Sequence, residues 1–196
     1  TVAEFYAEFI ALKEAPAVFQ LSGGMIAFLA DAIYRKGVTP LITNRHEQAS
    51  GFAAEGGTRV SGKTCVALGT SGPGASNLVT AIASCYFDSV PVVFITGQVN
   101  TKEIKSSTEQ RQNGFQELDV VTMVKGITKA TYSPRTAEEA IQALHEAWEI
   151  ANQARFGPVL IDLPIDIQQL TFKELKPVLP KAAIETLADL EDEVFS

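Results

Sequence analysis

Short apolar runs alternate along this chain with longer amphipathic segments, and few folds accommodate that rhythm. The runs are residues 17–21, 40–43, 64–69, 92–96 and 159–163, with a weaker sixth at 127–132. Several are continuously apolar and rich in Val and Ile, as strands covered on both faces are. Between them, residues 2–13, 26–36, 48–60, 75–87 and 137–155 carry helical patterns. In the last of these, Ala140, Ile141, Leu144, Ala147, Trp148 and Ala151 fall on one stripe. Pro134 and Thr136 mark its start, and Gly157–Pro158 its end. This alternation predicts an α/β fold: an open, mostly parallel six-stranded sheet, joined by right-handed crossovers, with helices on both faces. Ligands of such sheets sit at the carboxyl ends of the strands.

Composition narrows the function classes. The chain has 196 residues, 46% hydrophobic and 20% charged, enough for a sizeable core and incompatible with global disorder. A formal charge of −7 argues against a nucleic-acid partner and against docking on anionic membranes. Five of the acids, and no base, fall in the last twelve residues. The body is therefore nearly neutral, and its charge says little about a substrate. No apolar stretch approaches the roughly 18 residues that span a bilayer. Cys65 and Cys85 make no disulfide framework and read as buried free thiols of a reducing, cytoplasmic setting.

Three strand-to-helix turns hold the candidate chemistry. Leu21-Ser22-Gly23-Gly24 follows the first apolar run, Asn44-Arg45-His46-Glu47-Gln48 the second and Thr70-Ser71-Gly72-Pro73-Gly74-Ala75-Ser76-Asn77 the third. The glycines permit tight turning and close approach of backbone to a ligand. Each also has a structural explanation: a plain βα turn for the glycine-rich pair, and a first-turn acid favoured by the helix dipole for Glu47. The third turn matches neither dinucleotide nor P-loop spacing and has no lysine. His46 reads as a packing or hydrogen-bonding residue. The two histidines and two cysteines lack the spacing of a zinc site, so no metal ligands are assigned. Residues 100–114 form a long polar stretch that breaks the rhythm, as functional or mobile loops do.

Taken in order, six motifs resemble one family. They are Ser22-Gly23-Gly24, Arg45-His46-Glu47-Gln48-Ala49, the glycine-rich turn from Gly69 to Asn77, Asp88 through Gln98, Gly114-Phe115-Gln116-Glu117, and Gly157 through Pro164. The set is similar to the N-terminal pyrimidine-binding domain of thiamine-diphosphate-dependent enzymes, and within them to the acetolactate synthase large-subunit group of branched-chain amino acid biosynthesis. The resemblance implies thiamine diphosphate as cofactor and 2-keto acids as substrates of decarboxylation and carboligation. It assigns Glu47 as the acid that hydrogen-bonds N1′ of the aminopyrimidine and promotes its imino tautomer. A carboxyl sharing a proton at neutral pH suits that task, and burial among apolar groups helps by disfavouring the charged form. It assigns Gly23, Gly24, Thr70, Pro73 and Asn77 to the cofactor pocket, and Phe115 and Gln116 to the substrate end. Pro73 also has a turn-making explanation, and Phe115 a core-packing one.

The departures matter as much. Ser22 stands where acetolactate synthases usually carry proline, and the segment from Gln98 to Phe115 is long. That form looks like acetolactate-synthase-like proteins of surface-polysaccharide pathways, which leaves the substrate open. The family holds the diphosphate through magnesium (Mg2+) on a separate domain bearing Gly-Asp-Gly, a triplet absent from these 196 residues. FAD, which some members bind mainly on a middle domain, is left open too. The expected organisation is a pyrimidine-binding domain at 1–170 and a linker at 171–196 towards a central domain not present here. The expected partners are a diphosphate-binding domain of the same or a partner chain and a second copy, in a homodimer or homotetramer through this domain. The chain then reads as half of an enzyme, inactive alone. The alternatives are the small subunit of a split 2-keto acid decarboxylase and a non-catalytic cofactor-binding or assembly module.

Overall fold

A computed structural model describes residues 1–105 and 109–171 of the chain. The expected linker, apart from Thr171, lies outside the described residues. All six strands form where the apolar runs stand: β1 (Val18–Gln20), β2 (Leu41–Thr43), β3 (Cys65–Gly69), β4 (Val92–Gln98), β5 (Ala130–Tyr132) and β6 (Val159–Pro164). They make one sheet in the order β2-β1-β3-β4-β6-β5, and every pairing is parallel. β3, β4 and β6 are buried along their whole length.

Alternate residues of these strands feed two cores. Val66, Leu68, Val93, Ile95, Val159, Ile161 and Leu163 face one layer of helices: α1 (Val2–Leu12), α2 (Ala27–Lys36), α7 (Ala137–Asn152) and α8 (Ile165–Gln169). Cys65, Ala67, Val92, Phe94 and Leu160 face the other: α3 (Glu47–Ser61), α4 (Pro73–Asn77), α5 (Val79–Asp88) and α6 (Val120–Val124). A period of two, apolar on both faces, produces this double covering. The helices begin and end on local chemistry. Thr1 and Glu4 form a capping box for α1, Thr136 caps α7, and Gly37 and Gly62 close α2 and α3 in the left-handed region. The Lys129 ammonium donates to the carbonyls of Ile150 and Gln153 at the end of α7, where a cation complements the helix dipole.

Two expectations need correction. The helix expected over 75–87 is two helices, α4 and α5, turning at Leu78. There the Leu78 amide bonds back to Ala75 O at 3.1 Å, a tighter closure than the helical one, while its side chain is buried in the second core. Pro73 at the first helical position also starts the helical backbone earlier than the apolar pattern does. The short helices α6 and α8 were not expected. Each is a single turn, shorter than a periodic pattern can reveal.

The strand order sets the site. From β1 the chain crosses to β2 on one side, and from β2 it crosses back over β1 to β3 on the other. The order reverses between β1 and β3, so their carboxyl ends open a crevice.

Two outcomes follow from the packing. A Cβ added at Gly51 of α3 would stand 2.4 Å from Ala81 Cβ of α5. Gly51→Val is expected to lower unfolding free energy by about 1–3 kcal/mol in urea titration; an unchanged midpoint would contradict the helix contact. The second concerns Asp162, buried in β6, whose carboxyl is pushed up to about 7 by desolvation, against the hydrogen bonds from Thr96 and Gln98; Asp119 raises it further and Arg135 opposes. The folded state thus keeps a proton that the unfolded chain has lost above pH 4. This contribution to stability is present at low pH and is lost as pH rises through about 7. Asp162→Asn is expected to remove a slope of up to about 1.4 kcal/mol per pH unit between pH 5 and 7. Denaturation curves across that range read it directly, and parallel slopes in both chains would contradict the assignment.

Candidate functional site

The three turns singled out in the sequence meet at this crevice. Glu47 is the first residue of α3, immediately after the short β2–α3 turn. His46 caps the helix, its Nδ1 accepting from the Gln48 amide at 3.1 Å, which is the hydrogen-bonding role read from the sequence. The arrangement aims the Glu47 carboxylate at the neighbouring turn, and only 7% of the residue is exposed. The Asn77 Nδ2 donates to Glu47 Oε2 at 2.9 Å. A Cβ on Gly74 would lie 3.2 Å from Glu47 Oε1 and 2.7 Å from Thr70 Cγ2. Gly74, which the motif reading did not single out, is what lets the glycine-rich turn lie against the acid.

The first turn closes on the same point. A Cβ at Gly23 would be 2.3 Å from Thr70 Cβ, so any larger residue would push the two turns apart. The Thr70 hydroxyl accepts from the Met25 amide at 3.2 Å. Met25 O accepts from Gln168 Nε2 at 2.8 Å, and Gln168 also accepts from the Leu29 amide and donates to Leu163 O. Gln168, fully buried in α8, thus fixes the Gly23–Gly24 turn from behind. Nothing in its sequence neighbourhood distinguishes it from a surface glutamine. Gly24 is exposed, and its α-carbon faces open space.

Not every expected residue reaches the acid. Pro73 is exposed at the start of α4, where its role is to begin the helix. Phe115 is 74% exposed, so core packing does not explain it. Gln116 adopts φ 60° and presses on the glycine-rich turn: a Cβ on Gly72 would meet Gln116 Cβ and O at 2.8 Å each. Gly72 itself has φ 60°, which glycine tolerates without strain. The Phe115–Gln116 turn therefore roofs the same crevice from the β4 side.

Chemically, the cradle offers a buried carboxylate with one oxygen held by an amide, glycine backbone beside it, and hydroxyl groups at its margin. Ser71 Oγ in the same turn is buried and has no hydrogen-bond partner among the described residues. Such a set suits a flat, nitrogen-containing ring that exchanges a proton with the acid. No group of three or more His, Cys, Asp or Glu among the described residues is placed to hold a metal ion. Nor, among those residues, is any helix long and apolar enough to cross a membrane.

Known proteins resemble this chain in sequence. The family model for the thiamine pyrophosphate enzyme N-terminal TPP binding domain matches residues 1–123. The acetolactate synthase isozyme 1 large subunit of Escherichia coli is 40% identical over 184 residues, covering 93% of this chain and 32% of the relative. The mitochondrial acetolactate synthase catalytic subunit of Saccharomyces cerevisiae is 36% identical over 198 residues, covering 100% of this chain and 28% of its own. A probable acetolactate synthase large subunit of Methanocaldococcus jannaschii is 44% identical over 151 residues, covering 77% and 24%. The matched stretch spans 24% to 32% of the length of these curated relatives. With six ordered motifs, an acid at the switch of a parallel sheet and a family match over more than half its length, this chain belongs to the thiamine pyrophosphate enzyme family, as an N-terminal TPP-binding domain.

Proposed function

We propose that this chain is the pyrimidine-binding half of a thiamine-diphosphate-dependent, acetolactate-synthase-like enzyme acting on 2-keto acids. The observation that carries the reading is the Glu47 cradle. A buried acid, oriented by Asn77 and bordered by Gly74 and Thr70, stands at the strand-order reversal. The residues present fit an aminopyrimidine: Glu47 would hydrogen-bond a ring nitrogen, and Gly23, Gly24 and Thr70 would admit the ring edge close to backbone. When bound, the cofactor supplies the electron sink for decarboxylation. The chain's own work is to hold the ring and to share a proton at the Glu47 carboxylate. Glu47 sits buried in the first turn of α3, with Asn77 holding one carboxyl oxygen.

The remaining site is proposed to lie elsewhere. Magnesium and the diphosphate would be held by a domain carrying Gly-Asp-Gly, and any FAD by a middle domain. Residues 1–170 would form the pyrimidine domain, with a linker from 171 onward. One outer face supports assembly with a second copy as homodimer or homotetramer: Phe52 and Val60 on α3 and Phe87 on the adjoining α5 are large, apolar and exposed. The buried, unpaired Cys65 and Cys85 support a reducing, cytoplasmic setting.

Two measurements test this reading. Titration calorimetry of the 196-residue chain with thiamine diphosphate and magnesium should show weak or undetectable binding; tight, magnesium-dependent binding would contradict the half-site. In the intact enzyme, Glu47→Gln keeps a hydrogen bond but cannot exchange the proton. Turnover of a 2-keto acid should fall by about 10²-fold or more, the usual range for loss of a positioned acid or base. Undiminished turnover would remove Glu47 from the chemistry.

A further inference from the structure

Gln116 holds a left-handed backbone conformation that side-chain-bearing residues adopt at a cost, and such conformations persist when their surroundings over-determine them. The surroundings here are specific. Gly114 to Glu117 close a turn through Glu117 N to Gly114 O at 3.1 Å. The buried Glu117 carboxylate then accepts two amides of the preceding loop, Lys105 N at 2.8 Å and Asn113 N at 2.6 Å. On the far side of the turn, Leu118 O accepts from Gln98 Nε2 at 2.8 Å. Gln98 ends β4, and its own geometry is set twice: Oε1 accepts from the Val99 amide, and Nε2 also donates to Asp162 Oδ2 at 2.9 Å. Asp162 Oδ1 accepts from the Thr96 hydroxyl at 2.7 Å. Thr96, Gln98 and Asp162 are all buried, in the two longest strands. A continuous hydrogen-bonded chain thus runs from the rigid centre of the sheet to the one turn that must be held over Gly72.

We propose that Asp162 and Gln98 are positioning residues: through Leu118 O they anchor the Phe115–Gln116 turn over the Gly72 turn, and so shape the substrate end of the site. The anchoring is a property of the fold, while its consequence for substrate rests on the reading given under Proposed function. An acid inside an otherwise apolar strand needs a reason, and stability alone does not supply one, because burying its charged form with no ion-paired base among the described residues is unfavourable. The Asp162–Gln98 pair instead gives a polar fixed point at the carboxyl edge, beside a cavity of about 300 Å³ that Lys105, Glu117 and Arg135 also line.

Hydrogen exchange of the 196-residue chain, followed by mass spectrometry, tests the anchor without cofactor. In Asp162→Leu and Gln98→Leu, exchange at the amides of Lys105, Asn113 and Glu117 should rise by about tenfold or more relative to wild type, with α1 unchanged. Thr96→Val removes one donor with little change of shape and should raise it by about threefold. Asp162→Asn can keep both contacts by presenting its oxygen to Gln98 and its amide to Thr96, and should stay within about twofold of wild type. Loop exchange unmoved in the folded Leu and Val variants would overturn the proposal, as would an Asn variant as loose as the Leu one. In the intact enzyme, Thr96→Val should raise KM for the 2-keto acid more than it lowers the affinity for thiamine diphosphate. A loosened loop with unmoved KM and kcat would leave the anchor standing and overturn the substrate-end reading instead.

Discussion

Three central strands, β3, β4 and β6, have no face left for water, and the rest of the molecule follows from that constraint. Their side chains must be covered twice, which demands helices on both sides of the sheet. Parallel pairing forces each connection to cross over the sheet; one crossover leads from β1 to β2 and the next from β2 back past β1 to β3, and this reversal parts the carboxyl ends of β1 and β3. The crevice is thus a product of topology. What this chain adds is its lining: glycine where two turns approach below ordinary Cβ distances, and an acid where a helix begins.

Three of the buried polar side chains of this fold hold the crevice in shape. Glu47 is held by Asn77, Gln168 holds Met25, and Asp162 holds Gln98. Each links a rigid element to a turn at the carboxyl edge. Buried polar contacts of this kind rigidify a site when their members are hydrogen-bonded, and they are costly when they are not. By contrast His145, half-buried against Phe5 and Phe9 with its Nε2 unpartnered among the described residues, lies between α1 and α7, away from the crevice, and has its pKa lowered by desolvation.

Much of this was legible in the sequence. The strands were visible because burial on both faces leaves a continuous apolar run, and the helices because one stripe of α7 repeats at 3.6. Glu47 was visible as an acid opening a helix after a strand, and the motif order tied it to a family. What stayed hidden depends on distance in space. Neither the pairing of Asn77 with Glu47 nor the role of Gln168 has any local signature, since the residues are 30 and 143 positions from their partners. The break at Leu78 was masked because apolar spacing continues through it. Gln116 carries no glycine to announce its positive φ, and the reason it is tolerated lies on β4 and β6.

The central claim is that Glu47 shares a proton with the aminopyrimidine ring, held for that purpose by the switch-point geometry. It is tested most directly by exchange of the C2 hydrogen of thiamine diphosphate bound to the intact enzyme in deuterated water, wild type against Glu47→Gln. The account predicts exchange slower by about 10²-fold or more, with cofactor affinity changed far less. Equal exchange rates at full cofactor occupancy would contradict it.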